Sequence, residues 1–195
     1  MTVTQTSQST QTNQSSVDIT PGAWNIDASH TLVEFTARHL MVTKVRGRFS
    51  AVTGSITIAE DPFDSHVEAV IETASVSTGD EKRDGHLKSA DFFNVEQYPE
   101  ITFRSTAVRP VGNGNDRFEV DGELTILDVT RSVTLELEYL GTFADPWGGT
   151  RAGFSATTEI SRKDWGLEWN VALESGGLLV SDKVRINLEV QATQA

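Results

Sequence analysis

From Ala23 onward apolar and polar residues alternate with a period of two, the spacing that sends successive side chains to opposite faces of a β-strand. Val33, Phe35, Ala37 and His39 alternate with Glu34, Thr36 and Arg38, and Ile101, Phe103, Ser105 and Ala107 alternate with Thr102, Arg104 and Thr106. Phe118 to Ile126 and Val133 to Tyr139 repeat the pattern with acidic residues on the wet face, and residues 152–160 and 184–190 supply two more strands. Within residues 45–58 the apolar set moves from odd positions (Val45, Gly47, Phe49) to even ones (Val52, Gly54, Ile56, Ile58), the parity change a β-bulge produces. Val67, Ala69 and Ile71 complete a set of eight strands. Residues 80–93 break the period, with acidic residues leading, basic ones following and Phe92-Phe93 closing, which predicts one short helix with an apolar plug.

Eight strands of similar polarity joined by Gly-, Asn-, Asp- and Pro-containing turns, such as residues 111–116 and 145–149, predict an antiparallel sheet closed into a barrel, since closure removes exposed edges. A barrel of eight strands has room for its own side chains or for one small ligand. The apolar face carries many small residues (Ala37, Gly47, Ala69, Ala107, Gly122, Ala152, Ala156). Two readings follow: a hollow interior that holds an apolar guest, or dense packing in which the small residues face Phe35, Phe49, Phe103 and Phe154.

Composition narrows the function. With 16 Lys and Arg against 28 Asp and Glu, the formal charge of −12 repels phosphate backbones, so no nucleic acid partner is expected. The absence of Cys excludes disulfides, thiolate metal sites and Cys nucleophiles. No apolar run approaches the length of a spanning helix. Residues 1–22 are dominated by Thr, Gln, Ser and Asn, a composition that predicts a disordered tail, with the folded domain over 23–195. The same segment lacks the basic and apolar regions of an export signal, so a cytoplasmic location is expected.

Candidate chemistry is sparse. The four histidines fall in none of the ligand spacings of metal sites, and no metal or cofactor is expected. Asp27, Ser29 and His30 contain the letters of a hydrolase triad without a nucleophile elbow to present them. His30, His39, Arg46 and Arg48 are head-group candidates, the arginines because their donor fork matches phosphate oxygens. For the arginines the alternative is a solvated strand face, and for His30 a turn-stabilising bond to Asp27. Phe92, Phe93, Trp165 and Leu167 are candidates for a lid or mouth.

Several segments are similar to the YceI family of lipocalin-like, polyisoprenoid-binding bacterial proteins. They are Trp24-Asn25-Ile26-Asp27-Ala28-Ser29-His30 with the strand after it, Val45-Arg46-Gly47-Arg48-Phe49, and above all Arg83-Asp84-Gly85-His86-Leu87-Lys88-Ser89-Ala90-Asp91-Phe92-Phe93, continuing to Phe103. Leu124-Thr125-Ile126 to Arg131 and Arg162-Lys163-Asp164-Trp165-Gly166-Leu167 extend the likeness from Trp24 to about Val190. Leu127-Asp128, Ser132 and Trp165 depart from the family's usual residues at turns and at one aromatic. The resemblance implies an eight-stranded lipocalin-like barrel, often dimeric, that binds an isoprenoid or fatty amphiphile and has no established catalysis. The expected pore wall is Phe35, Ala37, Phe49, Ile71, Phe103, Leu124, Leu135, Phe154 and Ile186. An enzyme acting on such a lipid, and a solid-core barrel serving as a stress or interaction module, are the alternatives.

Overall fold

A computed structural model describes residues 17–112, 114, 116–146, 148–173 and 177–195. Its strands are β1 (Gly22–Ile26), β2 (Leu32–His39), β3 (Thr43–Phe49), β4 (Val52–Ile58), β5 (His66–Glu72), β6 (Val76–Ser77), β7 (Glu100–Pro110), β8 (Arg117–Ile126), β9 (Val129–Ala144), β10 (Thr150–Ser161) and β11 (Lys183–Gln194), with one helix, α1 (Glu81–Lys88). All pairings are antiparallel, in the order β1-β4-β5-β7-β8-β9-β10-β11-β2-β3-β6, and β1 also pairs with β11 to close the sheet on itself.

The eleven strands make eight staves, because three staves are broken. A 3-10 turn at Ala28–His30 separates β1 from β2, and both halves pair with β11. Ser50-Ala51 separates β3 from β4, and a 3-10 turn at Thr73–Ser75 separates β5 from β6. The parity change within 45–58 is thus an interruption of the strand rather than a bulge: the Ser50 amide bonds the Ser75 hydroxyl, and the Ala51 carbonyl accepts from the Glu72 amide. The register shifts lie elsewhere, in β7 between Ser105 and Ala107 and in β10 between Gly153 and Phe154. The first exposes Ala107, expected inward, and turns Val108 inward instead.

The helix is shorter than the 80–93 expected. Asp80 caps it by accepting from the Arg83 amide, and the chain leaves it at Ser89. A helix of this length is marginal alone. The Asp84 carboxylate ties it down by accepting from the Thr78 amide at 2.7 Å and the Ser77 hydroxyl at 3.1 Å. Beyond it, turns in which Phe92 and Phe93 bond the carbonyls of Ser89 and Leu87 fold both rings back into the core.

The barrel's two ends differ. One carries α1 with residues 89–99, the 3-10 turn Arg162–Trp165 and the β2–β3 tip. The other carries the 3-10 turn Pro62–Asp64 and the β9–β10 connection, with residues 17–20 laid against it. Here the Asp18 carbonyl accepts from the Tyr139 and Thr142 hydroxyls, and Thr20 accepts from the indole of the fully buried Trp24. Part of the segment expected as tail is therefore packed on the barrel, while residues 1–16 lie outside the described residues.

Candidate functional site: an apolar lumen

Inward-facing side chains of the eight staves enclose a cavity of about 320 Å³. It runs from Val17, Ile19 and Pro62 at one end to Leu87, Phe92, Phe93 and Leu167 at the other. The nine expected wall residues, Phe35, Ala37, Phe49, Ile71, Phe103, Leu124, Leu135, Phe154 and Ile186, all face it. Ile26, Val33, Val52, Leu137 and Tyr139 extend the wall beyond that set.

Two glycines explain how the wall carries phenylalanines and still leaves a lumen. A Cβ on Gly47 would stand 2.2 Å from the Phe35 ring, and one on Gly122 would stand 2.4 Å from the Phe103 ring. Each ring lies over a neighbouring strand's glycine, where a side chain would have pushed it toward the barrel axis. The two sequence readings are both partly realised: small residues do face phenylalanines, and space remains.

The polar groups of the wall mostly serve the protein itself. The Ser105 hydroxyl at the β7 bulge accepts from the Val67 amide at 2.9 Å. Buried Arg162, which continues the inward parity of β10 just past the strand read over 152–160, gives Nε to the Ser181 carbonyl at 3.1 Å and Nη1 to the Leu167 carbonyl. Burial pulls its guanidinium below the ordinary value, opposed by the Asp182 carboxylate 3.6 Å from Nη2. Val17 and Ile19, assigned by composition to the tail, also face the lumen; their alternate spacing was the available signal.

Not all mouth and head-group candidates reach the lumen. Phe92, Phe93 and Leu167 line it, but as buried core at the helix end; Phe93 meets Phe49 edge-on at 5.5 Å. Trp165 does not line it: its indole donates to the Leu124 carbonyl at 3.0 Å, so it anchors the 3-10 turn to β8. Arg46 and Arg48 point outward, because Phe35 and Phe49 of the same hairpin point in, and neither lines the cavity. His39, at the end of β2, bridges to Val180, a residue of the lumen wall, but is not itself part of that wall.

His30 sits outside the lumen with Asp27 and Ser29. Its Nδ1 lies 2.8 Å from Asp27 Oδ2 and 3.0 Å from Ser29 Oγ, while Ser29 donates to Asp27 Oδ1 at 2.6 Å. A catalytic relay needs the serine on one ring nitrogen and the carboxylate on the other. Here both crowd the same nitrogen, so the trio caps a turn. The Ser29 hydroxyl, then Arg151 and His30, hold the Asp27 carboxyl well below the usual carboxylate range. Among the described residues no cluster of three or more His, Asp or Glu is placed to hold a metal, and no helix is long and apolar enough to cross a membrane.

Comparison with known proteins agrees with this geometry. The profile of the YceI-like domain matches residues 24–192. Protein YceI of Escherichia coli O157:H7 is 41% identical over 143 residues, 73% of each chain. Among solved structures, BcnA of Burkholderia cenocepacia superposes with a TM-score of 0.73 at 22% identity, covering 86% of this chain and 99% of its own. A polyisoprenoid-binding domain from Saccharophagus degradans, implicated in plant cell wall breakdown, superposes with a TM-score of 0.67 at 19% identity, covering 88% and 98%. At those identities the two structures share the closed antiparallel barrel with this chain.

Proposed function

The chain belongs to the YceI-like domain family, and on that premise we propose that it is a carrier which shields the apolar chain of an isoprenoid or similar amphiphilic lipid inside its barrel. The observation that supports the reading is the lumen: about 320 Å³, continuous between the two ends and walled by aliphatic and aromatic side chains. Ligand pockets run from about 300 Å³ upward, and an empty apolar void of this size would cost stability. A guest chain would gain roughly 25 cal/mol per Å² of apolar surface taken from water. The wall's few polar groups are mostly committed to the protein's own backbone, which favours reading length and width over chemistry. A solved domain of the same fold bears the description polyisoprenoid-binding, in line with such a guest. The mechanism is sequestration and release without bond making, so the chain is read as no enzyme.

Native mass spectrometry of the purified full chain, followed by organic extraction, tests this. A stoichiometric prenyl or fatty species is expected, and the same spectrum reads whether the chain forms the homodimer the family likeness implies. An empty protein that also fails to take up added polyprenyl alcohols would overturn the carrier reading.

A further inference from the structure

The β2–β3 hairpin turns through Leu40, Met41 and Val42, and both of its central residues are unusual. Val42 donates to the His39 carbonyl at 3.0 Å, so Leu40 and Met41 are the middle of the turn, with φ of 52° and 57°. A type I′ hairpin turn needs positive φ at both centres and normally places Asn and Gly there, because larger L-residues are strained in that region. An apolar pair at these positions is a poor choice for folding. It is also a poor choice for solubility: Leu40, Met41 and Val42 are 43%, 60% and 77% exposed. The neighbouring connection, bonded to the tip through Leu40 and Leu179, exposes Val171 and Leu178 as well.

Directly behind the tip the outer face of the hairpin is basic. Arg38 stands opposite Lys44, Arg46 opposite Thr36, and Arg185 of β11 flanks Thr36 on the other side. Like charges directly across strands are unfavourable in isolation. Among the described residues none of Arg38, Lys44, Arg46 or Arg185 forms an ion pair. Glu159, opposite Arg185, is taken by Lys183 at 2.7 Å, and Glu34 stands across from Arg48 farther down the ladder. An unpaired cationic strip is conspicuous on a chain of net charge −12.

We propose that this hairpin docks the protein on an anionic lipid bilayer, Leu40, Met41 and Val42 entering the acyl boundary and Arg38, Lys44 and Arg46 lying at the depth of the headgroup phosphates. Charge complementarity selects the occupant, since cations beside an exposed apolar element are the combination that binds acidic lipid surfaces. The shape agrees: a narrow, convex tip of three residues suits insertion between lipids, whereas a stable protein interface needs about 1,000 Å² or more of complementary surface. The inference concerns the outer surface and holds whether the lumen is full or empty.

Vesicle flotation with the full chain tests it, using phosphatidylglycerol–phosphatidylcholine vesicles and pure phosphatidylcholine vesicles. The protein should float with the anionic vesicles and not with the neutral ones, and binding should fall steeply with added salt as the charges are screened. Val42→Asp and the double variant Lys44→Ser/Arg46→Ser should each weaken binding by about tenfold or more, the order expected from losing a buried side chain or two surface cations. Val111→Asp, at an exposed apolar residue of a different hairpin, is the control and should bind as the parent does. Circular dichroism on each variant separates lost binding from lost fold. A folded parent that ignores anionic vesicles, or a Val42→Asp variant that binds them unchanged, would overturn the proposal and leave the tip to a protein partner. A protein that yields lipid on extraction yet does not float would overturn this inference alone.

Discussion

At the scale of single residues, the decisive ones are those that keep the lumen open. Gly47 and Gly122 contribute nothing to packing themselves; they let Phe35 and Phe103 lie against the wall. Gly47→Val should drive the Phe35 ring toward the axis, lower stability by about 1–3 kcal/mol as overpacked cores do, and reduce uptake of a fluorescent polyene fatty acid. Unchanged uptake with unchanged stability would show that the ring has somewhere else to go. Asp27 gives a prediction in pH. Its folded carboxyl titrates well below the ordinary 3.8, so the stability it contributes is complete above that value and lost as pH falls toward the folded one. Asp27→Asn should lower the urea midpoint at pH 7 and flatten its decline below about pH 4; parallel pH profiles for the two proteins would remove the assignment. Phe35, Phe49, Phe103 and Phe154 were legible as wall because period two puts them on one face. Arg46 and Arg48 show where residue reasoning stops: their parity announced the outer face, yet their affinity for phosphate drew them toward the mouth, where the structure does not put them.

Among the elements, residues 17–20 matter most for exchange of a guest. They lie over one end of the barrel through two hydroxyl bonds to the Asp18 carbonyl, the Trp24 indole bond to the Thr20 carbonyl and the side chains of Val17 and Ile19, far less than the ladder that holds any stave. Ile19→Asp should speed transfer of a loaded fluorescent lipid to acceptor vesicles severalfold in stopped-flow mixing while moving the denaturation midpoint little; a large loss of stability with unchanged transfer would make the segment a structural cap. The helix end is built differently. Phe92 and Phe93 are folded into the core, and Trp165 pins its turn to β8, so that end is a packed floor. Composition placed residues 17–20 in the tail because Thr, Gln, Ser and Asn dominate residues 1–22 as a whole, and only the barrel end nearby supplies the surface that Val17 and Ile19 cover. The strands were legible as elements, and the interruption at Ser50-Ala51 showed as a parity change that reads equally as a bulge, whereas those at Ala28–His30 and Thr73–Ser75 left no trace in the alternation.

For the molecule as a whole, one consequence comes from charge. A net −12 on a closed barrel is self-repulsive, and 0.1 M salt screens beyond about 10 Å. The thermal midpoint should therefore rise between 10 mM and 150 mM sodium chloride, each kcal/mol relieved being worth about 2–4 °C at this size. A midpoint that falls would mean that local pairs such as Lys183–Glu159, rather than the overall field, dominate the electrostatics. The sequence by itself determined the antiparallel all-β class, the number of staves, the inward face of nearly every one and the absence of thiol chemistry, because all of these follow from local residue identity and a period of two. The tertiary structure alone decided that Phe35 and Phe103 lie over glycines of neighbouring strands, that a lumen survives between the walls, that Val17 and Ile19 line one end of it, and that Trp165 is an anchor. Each of those depends on which strands become neighbours when the sheet closes, and pairing between residues such as Trp24 and Gln194 is set by the closure of the whole barrel and not by the residues on either side of them.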